Sequence, residues 1–184
     1  MPSQKQRMLA GQPYIANDPE LEADARRAAE LNELFNAVSA TEPQRRREVL
    51  AALLGKLGAG AEIRSPLHVD YGYNIRVGEG VFVNVGAVLL DVAPIVIGDD
   101  VQLGPYVQLL TATHPVEPVA RRAKWESGQP ITLGENVWLG GGAVVCPGVT
   151  VGANTVVGAG AVVTANLPAN VVAVGNPARI TREI

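Results

Sequence analysis

From about residue 63 onward, an aliphatic side chain returns at every sixth position. Leu133, Leu139, Val145, Val151, Val157 and Val163 form one unbroken register. Gly134, Gly140, Cys146, Gly152, Gly158 and Thr164 follow them directly, and Val137, Ala143, Val149, Thr155 and Ala161 come four positions after the first five. The same register runs through Val77, Val83 and Leu89. After a shift of two residues near Asp91-Val92-Ala93-Pro94 it continues at Ile97, Leu103 and Leu109. A six-residue unit makes one short strand and one tight turn, and three units close a triangular coil. The spacing therefore predicts a mainly β, three-sided parallel β-helix with a column of Val, Ile and Leu inside it. The small residue beside each aliphatic one lets the chain turn the corner. Periodicity alone leaves the hand of the coil open.

Residues 1–60 carry a different period and predict a helical cap region, with 61–184 as the β-helix domain and its C-terminal tail. Asn17-Asp18-Pro19-Glu20 reads as a helix start, Asp18 capping and Pro19 in the first turn. Leu21, Ala25, Ala28, Leu31 and Phe35 then recur on one helical face. Thr41-Glu42-Pro43-Gln44 has the spacing of a capping box, followed by the stripe Val49, Leu50, Leu53, Leu54 and Leu57, with glycines at 55, 58 and 60 ending it. The arginines at 26–27 and 45–47 read as solvated helix faces. The stretch from about 115 to 130, "PVEPVARRAKWESGQP", cannot continue the hexads and predicts a protruding loop.

Composition narrows the function classes. The 184 residues carry a formal charge of −3, which offers no basic field for nucleic acid or an anionic membrane. Every apolar run is cut within a few residues by Gly, Asn or Asp, so none predicts a bilayer span. The first residues contain no apolar stretch like a signal-peptide core. One cysteine, Cys146, forbids an internal disulfide and suits a reducing compartment. A cytoplasmic location is the expectation. Twenty glycines against 4% aromatic residues fit a solenoid with little room in each layer. Cys146 fills a slot otherwise held by Gly or Thr, and is read as a small structural residue.

The chemistry-bearing residues are few. His114, in "TATHPVEP", stands where the hexads break off; His68 either lines a cleft near Asp70 or covers an early coil. Two imidazoles fall short of the three that a β-helical zinc site of the carbonic anhydrase kind needs, so no metal is expected. Asn84 interrupts a small-residue slot otherwise held by Gly78, Gly98 and Gly104, where an amide makes little sense as packing.

The segments "RMLAGQPY", "VDYGYNIRVGEGVFVN", "TATHPVEPVARR", "NVWLGGGAVVCPGVTVGANTVVGAGAVVT" and "NVVAVGNPARI" resemble the maltose/galactoside O-acetyltransferases. These are hexapeptide-repeat acyltransferases that include nodulation-protein relatives, and the maltose branch is the nearer match. The resemblance implies a left-handed coil and a homotrimer with active sites between subunits. It also implies acetyl transfer from acetyl-CoA to a sugar hydroxyl by direct attack. On the same ground His114 would be the general base, since an ordinary imidazole can take a proton near neutral pH. Asp70 and Asn84 would hold the acceptor, and Asp18 is either a third sugar contact or only a helix cap. Asp91 is open in the same way, and Trp125 either stacks on the sugar or anchors the loop. Trp138, Gly141, Ala159, Thr164, Arg179 and Arg182 would bind acetyl-CoA, the arginines at its phosphates. Some relatives carry Lys after the position of Thr164, where this chain has Ala165, so one phosphate contact would be missing. A different acceptor (a chitin oligomer, an amino sugar or a xenobiotic hydroxyl) and a non-catalytic scaffold are the alternative readings.

Overall fold

The computed structural model describes residues 2–184. Its body is a three-sided parallel β-helix in which each coil contributes one short strand to each face. The first coil runs through Lys56–Leu57, Glu62–Ile63 and Leu67–Val69. The second runs through Ile75–Val77, Phe82–Val83 and Ala87–Leu90, and the third through Ile95–Ile97, Gln102–Leu103 and Gln108–Leu110. The fourth comprises Ile131–Leu133, Trp138–Leu139 and Val144–Val145; the fifth, Thr150–Val151, Val156–Val157 and Val162–Val163. Val171–Val174 adds a further strand to the second face, and Arg179–Glu183 folds back on it antiparallel.

The hexad residues form the core. Val77, Ile97, Leu133 and Val151 stack on the first face; Val83, Leu103, Leu139 and Val157 on the second; Leu89, Leu109, Val145 and Val163 on the third. None is more than 2% exposed. Cys146 packs partly buried against this column, in line with its small-residue slot. Between the first and second faces, Asn136, Asn154 and Asn170 all take left-handed backbone geometry, with φ of 55°, 58° and 59°. Asn tolerates that region better than other side-chain-bearing residues. Their amides also form a ladder, Asn136 Nδ2 to Asn154 Oδ1 at 3.0 Å and Asn154 Nδ2 to Asn170 Oδ1 at 2.9 Å.

Departures from the six-residue step fall at one corner only. From the third face to the first, Val69 to Val77 and Leu89 to Ile97 each take eight residues, and Leu109 to Leu133 takes twenty-four. At the other two corners the step is six through the first five coils. Every extra residue of those coils is thus stacked along one edge of the prism.

Three helices pack at the open end: α1 (Gln4–Leu9), α2 (Pro19–Ala37) and α3 (Pro43–Leu53). Asp18 caps α2 as expected, its Oδ1 accepting from the N–H groups of Glu20 and Leu21. Ser3 and Gln6 form a complete capping box on α1. The box expected at Thr41 does not form: Glu42 is the cap residue of α3 without a side-chain bond, and Gln44 bonds Glu48 instead. The coil also begins before residue 61, because Lys56–Leu57 already pairs with Arg76–Val77.

Three of the arginines do more than solvate a face. Arg27 donates to the Ala52 carbonyl, Arg47 to that of Gly58, and Arg46 to those of Val38 and Ile63 while stacking on Phe35 at 4.3 Å. Carbonyls left over at helix ends and at the first coil need donors, and the guanidinium fork supplies several at once. Arg46→Lys is expected to lower stability by about 1–3 kcal/mol, read by urea denaturation, because an ammonium cannot span those acceptors and stack. Among the described residues no helix is long and apolar enough to cross a membrane.

Candidate active site

The interrupted corner gathers the polar groups. The first two extra stretches, residues 70–74 and 91–94, lie one above the other, and buried Asp91 joins them. Its Oδ1 accepts from the N–H groups of Asp70 (3.1 Å) and Tyr71 (2.9 Å), and its Oδ2 from that of Asn74 (3.1 Å). Burial pushes its carboxyl up, while the N–H groups of Gly72, Tyr71, Asn74 and Asp70 pull it down. Asp91 is therefore the post on which the Asp-Tyr-Gly-Tyr-Asn turn is built. With no exposed surface, it is closed off from any sugar.

The long excursion is a folded unit. Ala112–Thr113 and Trp125–Gly128 pair antiparallel around α4 (Pro118–Arg122), and Tyr14–Ile15 joins as a third strand on Trp125–Gly128. Glu117 caps α4 through the N–H groups of Val119 and Ala120. Trp125 lies under the Arg7 guanidinium, 5.4 Å from ring centroid to Cζ, so it anchors the excursion to α1. Beneath this sheet a small second core of Met8, Tyr14, Leu21, Tyr71 and Val92 ties α1, α2 and both extra stretches together.

On its rim stands His114, 59% exposed at the side chain, over an open cleft of about 590 Å³. Ala16, Asn17, Arg121, Lys124 and Glu126 line the rest. Glu126 Oε2 lies 4.0 Å from His114 Nε2, too long for a hydrogen bond but close enough to attract an imidazolium. Burial raises the Glu126 carboxyl, and His114 opposes that shift. Asp18 spends Oδ1 on its cap, and the residues just before it, Ala16 and Asn17, line the cleft instead.

Asp70 is pushed up to about 6 by burial first, then by the charges of Asp91 and Glu126. A carboxyl raised in the folded state contributes stability below its unfolded range near 4, and that contribution is lost as pH rises through about 6. Asp70→Asn is accordingly expected to stabilise the protein by about 2 kcal/mol at pH 7–8. The gain should vanish near pH 4, in melts at both pH values, while activity falls.

A second groove, of about 410 Å³, follows the corner between the second and third faces. Gly104, Gly140, Gly141, Gly158 and Ala159 form its floor, with Asn84 and Trp138 on its walls. Its glycines are required by the coil spacing: a Cβ on Gly140 would meet the Ala159 nitrogen at 2.5 Å, and one on Gly104 the Gly141 nitrogen at 2.6 Å. Of the sequence-predicted residues, Asn84, Trp138, Gly141 and Ala159 thus meet in this groove. His114 and Asp70 belong to a different corner of the same chain. Exposed Thr164 follows the third face, so it shares the His114 corner, two coils further on. Arg179 and Arg182 lie exposed on the returning tail strand, Arg182 beside Val172 in the row that carries Trp138 and Val156. His68 points outward from the third face of the first coil, exposed. A cleft of about 640 Å³ under α3 is lined by Arg46 and Arg47, whose donors already serve carbonyls.

Sequence reasoning missed Glu126 and Tyr14. Neither falls on a repeat, and only the pairing of strands two to four residues long brings them to His114.

The maltose acetyltransferase hexapeptide capping motif matches residues 7–58, and the bacterial transferase hexapeptide, with six repeats, matches residues 130–165. Nodulation protein L of Rhizobium leguminosarum bv. viciae is 48% identical over 178 residues, spanning 97% of this chain and 94% of its own. The crystal structure of a maltose O-acetyltransferase from Clostridium difficile 630 superposes with a TM-score of 0.98 at 43% identity, covering 100% of this chain and 98% of that one. A hexapeptide-repeat-containing acetyltransferase of Vibrio cholerae O1 biovar eltor, complexed with acetyl coenzyme A, gives a TM-score of 0.92 at 36% identity, covering 99% and 98%.

Proposed function

The chain belongs to the hexapeptide-repeat acetyltransferases that carry the maltose acetyltransferase capping motif, and we propose that it moves an acetyl group from acetyl-CoA to a hydroxyl of a sugar. One observation carries the reading: an exposed imidazole stands at the rim of a cleft furnished with a carboxylate and an amide, groups that together accept from and donate to a polyol. His114 takes the proton from the acceptor hydroxyl as its oxygen attacks the thioester carbonyl, and the same ring returns that proton to the departing thiolate. No acyl-enzyme is needed, so the two substrates must be held together and oriented. Asp70 binds the acceptor beside His114. Asp18 serves as the cap of α2 and contributes through the loop it ends.

The donor suits the second groove, whose bare glycine floor leaves space for the narrow pantetheine arm along Gly141 and Ala159. Trp138 flanks it, and Arg179 and Arg182 offer charge to its phosphates. Because the groove and His114 occupy different corners, the reaction needs a second copy that presents its groove to this chain's imidazole. Thr164, on the His114 corner, then faces the donor from the opposite side, and Asn84 faces the acceptor. A closed ring of three subunits pairs the His114 corner of each chain with the groove corner of the next. The partly buried thiol of Cys146 suits a reducing compartment, and the cytoplasm is the proposed location.

Thiol release from acetyl-CoA with maltose, glucose, galactosides and chitin oligomers tests the reading. Acceptor-dependent release with any of the first three is the expected result. Release with chitin oligomers alone would move the acceptor class, and no release with any would leave a scaffold.

A further inference from the structure

Tyr14 carries a hydroxyl that the reaction just described leaves without a task. The side chain is fully buried, and its oxygen has no hydrogen-bond partner among the described residues. A phenol held that way is less favourable than phenylalanine, because the hydroxyl has given up water and received nothing. The ring packs with Met8, Leu21, Tyr71 and Val92, contacts that phenylalanine would make equally well. Packing explains the ring and leaves the oxygen unexplained.

Strand register supplies what the oxygen serves. Tyr14 is the direct partner of Glu126. Ala112 and Thr113 pair with Gly128 and Ser127, so the next residue, His114, comes opposite Glu126 from the other side. Directly opposed residues of antiparallel strands share a face of the sheet. Tyr14, Glu126 and His114 therefore form one row, with the carboxylate in the middle. Burial first, then Glu126, Tyr71 and Asp70, holds the phenol protonated, so it acts only as a donor in this row.

We propose that Tyr14 is a positioning residue whose hydroxyl, unpartnered among the described residues, takes the Glu126 carboxylate as its acceptor in the reacting complex, holding it where it steadies the His114 ring as that ring takes up the acceptor proton. No bond to hydrogen breaks at Tyr14; the phenol keeps its proton throughout the cycle. The proposal rests on His114 being the general base. The other ionisable groups around the row are Arg121 and Lys124 in the cleft, Asp70 and Tyr71 on the turn above, Asp91 beneath them, and Asp24 on α2.

Tyr14→Phe is the test, since it removes one buried oxygen and keeps the ring. Expected is a fall in kcat of about 10-fold, the order for a group misaligned rather than removed, with KM for acetyl-CoA unchanged and Tm unchanged or higher. In a Glu126→Gln background the same change should have no further effect on kcat. Only two histidines are present, so imidazole NMR with His68→Gln for assignment reads His114 directly; its ring resonances should shift in Tyr14→Phe. A kcat and a His114 spectrum equal to wild type would overturn the proposal, as would an equal loss in both backgrounds. His114→Ala separates the two readings. If it stays active, the base assignment fails. If it is inactive while Tyr14→Phe is normal, only the role of Tyr14 fails.

Discussion

With His114 replaced by Ala, kcat is expected to fall by about 10²–10⁴-fold, the range that general-base assistance contributes, while the fold is unchanged. The ring is more than half exposed and belongs to neither hydrophobic cluster, so its loss opens no cavity. Binding should survive as well. The groove proposed for the donor lies at another corner of the prism, and the acceptor would keep Asp70, so both KM values should change by less than about threefold. The residual rate should keep rising with pH, because hydroxide must then do what the imidazole did. The wild-type rate should level off once the ring is neutral. Thiol release across pH, with circular dichroism as the check on folding, reads all of this. A variant with near-wild-type kcat would remove the imidazole from the mechanism.

The legible part of the sequence was the part with a period. Each hexad aliphatic from Val77 to Val163 lies in the predicted column, because a residue six positions on occupies the same place on the next face and has nowhere else to go. Asn136 and Asn154, three hexads apart, follow from the same arithmetic, as do Gly140 and Gly158 of the second groove. The hand does not, since mirror-image coils share one spacing, and it came from the resemblance alone. Even so, the period held more than was taken from it. The step of eight from Val69 to Val77 repeats at Leu89 to Ile97, and both fall at the corner where the excursion later leaves. Those steps, as one edge of the prism, put Asp70, Asp91 and His114 together on the sequence alone. What stayed out of reach was governed by contacts distant in sequence. Arg46 finds its acceptors in α2 and the first coil, and Trp125 finds Arg7. Glu126 reaches His114 only through a hairpin whose strands are too short to announce themselves. The failed cap at Thr41 is of another kind, a local preference overridden when Ser39 took the Thr41 hydroxyl.

Asp91→Ala is expected to be the most destabilising single change at this corner, by about 3–5 kcal/mol, because three backbone donors lose their acceptor at once. Two effects oppose each other there. Burial makes the charge itself unfavourable, as the upward push on its carboxyl records. Against that, the N–H groups of Asp70, Tyr71 and Asn74 all point at its two oxygens, and an unpaired buried donor costs about 1–3 kcal/mol. Three donors outweigh the burial penalty on one carboxyl, so deletion destabilises. Asparagine at the same position separates the terms. Its oxygen can keep the bonds from Asp70 and Tyr71, while its amide must turn a donor toward the Asn74 N–H, and about 1–2 kcal/mol is expected to be lost. Urea denaturation at one fixed protein concentration reads both values, since assembly would otherwise shift the midpoint. Function should follow stability in this case. The turn that Asp91 holds carries Asp70 toward the cleft and Tyr71 into the small core under Tyr14, so loosening it disturbs the acceptor and the His114 row together. A variant as stable as wild type would mean that water or a rearranged turn had satisfied those donors, and that Asp91 is not the post on which the corner stands.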